Sequence, residues 1–185
     1  MKNFHEETVA RKTIYSGKII DVYLDEVRLP DGKQAKREIV KHPGAVAVIP
    51  ITNEGKIVMV RQFRKALERH LVEIPAGKLE KGEAPETTAK RELEEETGLE
   101  CDSLTPIMSF YTSPGFADEI IHLYLAEGLR QLEEKASLDE DEFVDVIEVT
   151  LEEAQQLIAD QEIYDAKTVY AVQYLLLKQL REKNE

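Results

Sequence analysis

Residues 77–99, GKLEKGEAPETTAKRELEEETGL, set glycines, acids, one arginine and two leucines in a register that leaves the backbone little choice. Gly77 is followed after five residues by Glu83, after seven more by Arg91-Glu92-Leu93, and then by Glu95-Glu96 and Gly98-Leu99. Gly77 and Gly82 bracket a short loop after the run Leu71-Val72-Glu73-Ile74-Pro75-Ala76, which reads as a buried strand interrupted near its end by proline. Pro85 suits the first turn of a helix and Gly98 its left-handed stop, so the spacing predicts a helix from about Ala84 to Thr97.

On that helix Ala89 and Leu93 form the packing stripe, while Glu92, Glu95 and Glu96 crowd the adjoining face. Glu92 and Glu96 are like charges at i,i+4, and the acids lie in the last turns, where the helix dipole favours cations. On an exposed surface each effect costs a few tenths of a kcal/mol. Arg91, one turn before Glu95, offsets part of the repulsion. The remainder asks for a bound cation, and oxygen ligands without a nearby His or Cys point to Mg²⁺ or Mn²⁺ rather than zinc. Magnesium usually completes its shell with water and substrate phosphates, so the expected chemistry is on a phosphate or diphosphate.

The rest of the chain bounds this reading. Its 185 residues suit one domain, with room for an extension, and 42% hydrophobic content is enough for a core. A formal charge of −13 disfavours nonspecific nucleic-acid binding and repels anionic substrates unless bound metal screens them. The opening MKNFHEETVARK has no apolar signal core, and no run approaches membrane-spanning length. Cys101 stands alone, which excludes an internal disulfide and fits a reducing cytoplasm.

Ile20 to Val27 alternates as a strand, and Pro30-Asp31-Gly32 turns into a second strand near Lys36 to Lys41 before His42-Pro43-Gly44 breaks the pattern. Further strands are expected at Ala45 to Ile51, Lys56 to Arg64, Thr105 to Tyr111, Ile120 to Ala126 and Phe143 to Val149. Thr150 with Glu153 forms a capping box. A last helix, Ala166 to Leu180, carries Val169, Val172 and Leu176 on one stripe. The order suits an α/β fold, a mixed sheet between helices, with residues 1–42 as a β extension and 43–185 as the main domain.

The 77–99 segment resembles the complete signature of the Nudix hydrolases, which cleave nucleoside diphosphates linked to another group. The resemblance implies a Nudix-type α/β/α sandwich in which Glu92 and Glu96 bind metal, helped by Glu95 and the carbonyl of Ala76, while Arg91 fixes the carboxylates. Gly77 and Gly98 would hold loop and helix geometry, and Glu83 would be structural.

A second stretch, Tyr111 to Glu119, carries Ser113-Pro114-Gly115 fifteen residues after the signature, a mark similar to that of the ADP-ribose pyrophosphatases. Its exposed amides and the Glu119 carboxylate would bind ribose hydroxyls and the diphosphate. Gln62-Phe63-Arg64 resembles that subfamily's diphosphate-facing arginine, Lys36-Arg37-Glu38 its strand contacting the nucleotide side, and Lys78 is a further basic candidate. Asp139-Glu140-Asp141-Glu142 resembles the acidic loop that supplies the general base, with Glu140 as base and Glu142 as an added metal ligand, or the two exchanged. The implied reaction turns ADP-ribose and water into AMP and ribose 5-phosphate in a homodimer whose N-terminal extension crosses to the partner's site. The alternatives are another nucleotide sugar, RNA 5′ ends, or a non-catalytic sensor that should have lost box acids; none is missing.

Overall fold

The computed structural model describes residues 4–133 and 143–183. Its elements are β1 (Glu7–Ser16), β2 (Asp21–Arg28), β3 (Gln34–Lys41), β4 (Ala45–Pro50), β5 (Ile57–Arg64), β6 (Arg69–Glu73), β7 (Ala76–Lys78), α1 (Pro85–Thr97), β8 (Leu99–Tyr111), β9 (Ile120–Gln131), β10 (Val144–Val149), α2 (Leu151–Ala159) and α3 (Ala166–Glu182). Two compact units share the chain: Met1–Gly44 with Phe110–Ile121, and Ala45–Ser109 with His122–Glu185.

In the first unit β1, β2 and β3 form an antiparallel sheet in that order. The Pro30-Asp31-Gly32 turn joins β2 to β3, with Gly32 at φ +85 donating its N–H to the Leu29 carbonyl. β1 is a strand that the sequence pattern does not announce. All ten of its residues are exposed, so burial imposes no alternation of apolar and polar side chains. It is held by its ladder to β2 and by Arg11, whose guanidinium makes two bonds of 2.7 and 2.6 Å to the buried Asp25 carboxylate. The ladder skips Val9 and Ile14, each an extra residue on β1, which makes two bulges.

In the second unit β4 is the central apolar run. Val46, Val48, Ala89, Leu93, Tyr124 and Ala126 form one buried cluster, which locks α1 onto the sheet ordered β7-β4-β9-β8. β10, β5 and β6 make a second, antiparallel sheet. The run Leu71 to Ala76 therefore does not stay in one strand: β6 ends at Glu73, and β7 resumes at Ala76 in the other sheet. Proline lacks an N–H for a ladder, and here the Pro75 carbonyl instead accepts from Val48 N at 2.9 Å while Ile74 N donates to Thr168 Oγ1 at 3.1 Å.

The helices start and stop where the sequence places the signals. Pro85 opens α1, and Gly98 at φ 71 closes it by donating its N–H to the Glu94 carbonyl. Thr150 and Glu153 cap α2 reciprocally, and Asp165 caps α3 by accepting from Thr168 N. Of the expected α3 stripe, Val172 is buried while Val169 and Leu176 are half-buried.

Leu93 is fully buried in the cluster between α1 and β4. Leu93→Ala is therefore expected to lower the unfolding free energy by about 3 kcal/mol, read by urea denaturation at unchanged m-value. A loss below about 1 kcal/mol would show that this contact is not what anchors α1.

Candidate active site

The acid face of α1 is not exposed. Glu92 and Glu96 retain only 6% and 5% of their accessible surface, so the repulsion estimated for a solvated helix understates what the fold must offset. Carboxylates taken out of water need compensating charge and hydrogen bonds. Ala76 N donates to Glu96 Oε2 at 3.0 Å. Arg91 Nη1 lies 2.9 Å from Glu92 and 2.7 Å from Glu95, and its Nη2 lies 3.3 Å from Glu83. Burial pulls the Arg91 guanidinium down, but Glu83, Glu92 and Glu95 outweigh it and hold its pKa above the ordinary value. Glu83 also accepts from Thr88 Oγ1 at 2.8 Å, which ties the loop to the first turns of α1.

Gly77 is where the loop backbone comes closest to this face. A Cβ built on Gly77 would stand 1.8 Å from Glu92 Cδ, so no side chain fits and the Glu92 carboxylate occupies the space one would fill. The result is a close-walled cradle of hard oxygen donors, with the Glu92 and Glu96 carboxylates beside the Ala76–Gly77 backbone. That donor chemistry fits a divalent cation of the Mg²⁺ or Mn²⁺ type. Among the described residues no group of three His, Cys, Asp or Glu side chains is already gathered at metal-binding spacing. Glu140 and Glu142, the expected base and added ligand, lie outside the described residues.

Arg64, at the end of β5, is engaged through two of its three guanidinium nitrogens: Nε donates to Glu73 Oε1 at 2.6 Å and Nη2 to Glu73 Oε2 at 2.8 Å. Its side chain is 40% exposed, while that of Glu73 is 2% exposed. Lys167, buried on the first turn of α3, donates to Glu73 Oε2 and, at 2.9 Å, to Asp165 Oδ1. Sequence reasoning passed over Glu73 and Lys167. A glutamate between Val72 and Ile74 in an apolar run was the available signal, since a buried acid is nearly always paired. Lys78 ends β7 with its side chain exposed.

The remaining candidates belong to the first unit. Arg37 forms a two-bond pair with Glu6 at 2.9 and 2.7 Å, and Glu38 is exposed beside it on β3. The Ser113-Pro114-Gly115 turn is closed by Phe116 N and Ala117 N, which both donate to the Ser113 carbonyl. Glu119 accepts from Thr112 Oγ1 at 2.5 Å, and His42 Nε2 lies 3.8 Å from it.

Burial alone would raise the Glu73 pKa, but Arg64 and Lys167 outweigh it and hold it down at about 2, against the ordinary 4.5. A depressed carboxylate contributes stability that is complete above the unfolded-state value and is lost as pH falls toward the folded one. The full effect is of the order of 3 kcal/mol. The stability gap between wild type and Glu73→Gln is thus expected to narrow by about 2 kcal/mol between pH 6 and pH 3 in urea titrations. Parallel pH profiles for the two proteins would contradict the assignment.

Comparison with known proteins places the chain in a family. The NUDIX domain matches residues 41–171, and the nucleoside diphosphate sugar hydrolase N-terminal domain matches residues 6–40. The chain is 66% identical over 179 residues to the ADP-ribose pyrophosphatase of Bacillus subtilis (strain 168), covering 97% of each protein. It is 63% identical over 178 residues to the methanol dehydrogenase activator of Bacillus methanolicus, covering 96% of each. In three dimensions it matches a crystal structure of an ADP compounds hydrolase at a TM-score of 0.84, over 99% of this chain and 98% of that one; at 20% identity this likeness speaks for the fold. With the signature complete, Glu92, Glu95 and Glu96 together on α1 and the domain match spanning most of the sequence, the chain belongs to the Nudix hydrolase family.

Proposed function

We propose that the protein hydrolyses the diphosphate bond of ADP-ribose, releasing AMP and ribose 5-phosphate. The observation that carries this reading is the complete set of acids on α1, with Glu92 and Glu96 buried and Glu92 set against Gly77, in a chain 66% identical over nearly its whole length to an ADP-ribose pyrophosphatase. Nudix hydrolases generally use divalent metal ions. Here Glu92, Glu96, the Ala76 carbonyl and Glu142 would hold Mg²⁺, with Mn²⁺ as a substitute. Such a cation, when bound, neutralises diphosphate charge and makes water a better acid.

The chain's own groups divide the remaining work. Arg64 offers its exposed face to the diphosphate, Lys78 adds positive charge, and Arg91 with Glu95 keeps the carboxylates in place. Ser113 to Gly115 and Glu119 hold the ribose side, and Arg37 with Glu38 the nucleotide side. Glu140 takes the proton from the water that attacks phosphorus, and the bridging P–O bond breaks toward the leaving phosphate. The protein works as a homodimer in the cytoplasm, the N-terminal β extension completing the partner's site. No described helix is long and apolar enough to cross a membrane, and the charge of −13 argues against nucleic acid as substrate.

A turnover screen of nucleoside diphosphate sugars, dinucleotides and 5′-triphosphorylated RNA tests the substrate. ADP-ribose is expected to give the highest kcat/KM, and a better substrate from another class displaces this reading. A second reading, favoured by the full-length likeness to the methanol dehydrogenase activator, is that the protein raises the rate of a dehydrogenase. Adding it to purified methanol dehydrogenase and following alcohol oxidation distinguishes the two.

Glu96→Gln removes a ligand charge with little change in volume. It is expected to cut metal-dependent turnover by several orders of magnitude while the protein stays folded by circular dichroism. Glu140→Gln should cost about 10² to 10⁴-fold in kcat with little change in KM, the range for losing a positioned base. Normal turnover by the first variant removes the metal assignment, and normal turnover by the second moves the base to Glu142 or Glu95.

A further inference from the structure

We propose that Lys167 is a positioning residue for Arg64, acting through Glu73, so that the first turn of α3 sets the geometry of a diphosphate contact it does not itself make. The proposal rests on Arg64 being that contact, as argued above.

Glu73 is the hinge of the arrangement. Its carboxylate takes Arg64 on both oxygens and Lys167 on Oε2. A bidentate guanidinium must lie in the plane of the carboxylate it grips, so whatever fixes that plane also fixes the direction in which Arg64 points. A glutamate's terminal torsion is broad and roughly two-fold, and a single fork leaves it free to swing together with its arginine. Lys167 removes this freedom by holding one oxygen from a second direction. Lys167 is fixed in turn by Asp165, the N-cap of α3.

The same helical turn also grips the backbone beside Glu73, because Thr168 Oγ1 accepts from Ile74 N. Side chain and main chain of the Glu73–Ile74 step are thus both tied to α3. Two residues further on, Ala76 N bonds the Glu96 carboxylate. Arg64 itself feels the charge of Glu96, which sets the guanidinium within electrostatic range of the acid face of α1. A buried lysine is a poor device for stability alone, since apolar side chains of similar volume often do as well or better in place of buried ion pairs. What the charge secures here is direction.

A double-mutant cycle tests the proposal. Lys167→Met is expected to lower kcat/KM for ADP-ribose about tenfold when Arg64 is present and less than about twofold when Arg64 has been changed to alanine. Lys167→Gln, which keeps an N–H donor, should fall between wild type and methionine and guards against a variant that fails to fold. In metal-free protein, ¹⁵N spectra should show the Arg64 Nε–H resonance shifted and exchanging faster with water in both variants. An equal loss of kcat/KM in the two backgrounds, or an Arg64 resonance that stays in place, overturns the proposal. If wild type leaves ADP-ribose untouched, the functional reading fails, and the Arg64 resonance still decides whether Lys167 orients it.

Discussion

Two carboxylates on adjoining turns of α1 stay within a nearly dry wall, and much of the second unit is arranged around that demand. Glu92 and Glu96 sit on the same helix as Ala89 and Leu93, so packing the apolar stripe on β4 carries the acids inward with it. Once inside, they can be kept only if backbone donors and cations come to them. Gly77 lets the loop close in, Ala76 supplies an N–H, and Arg91 is shared among the neighbouring acids. A helix that on the surface would merely be somewhat unfavourable becomes, when buried, a place of concentrated negative potential.

The step from β6 to β7 joins this centre to the rest of the unit. Within four residues the chain leaves one sheet and enters the other, and along the way Ile74 N, the Pro75 carbonyl and Ala76 N each take a specific partner. Glu73 at one end holds Arg64, and Ala76 at the other holds Glu96. The ladder of β6 ends at Glu73, and Pro75, which has no N–H to resume it, leaves the two ends to serve different groups.

Residues whose identity follows from backbone conformation or helical spacing could be read from the chain before its structure. Pro85, Gly98, the stripe of α1 and the Thr150–Glu153 box belong to this class, because each signal and its consequence lie within a turn or two. β1 escaped the reading because exposure on all ten residues erases the alternation that marks a strand. The division of Leu71 to Ala76 between sheets escaped it because an apolar run looks the same whichever sheet receives it. Glu73 and Lys167 meet across 94 positions of sequence, and Lys167 on its own resembles any helix-start lysine. Arg64 and Arg37 were legible as candidates, but not their pairing with Glu73 and Glu6, since sequence shows a charge and not what answers it.

The two interruptions in the β1 ladder have a bearing on how the molecule meets other chains. Val9 and Ile14, the residues that β2 skips, are both exposed and apolar. An edge strand of unbroken register would offer an even row of donors and acceptors to any extended segment that drifted past. With an extra residue at each of two points, the row changes phase and twists, and a regular strand laid along it falls out of step within a few residues. The outer edge of this sheet thus discriminates against open-ended strand addition.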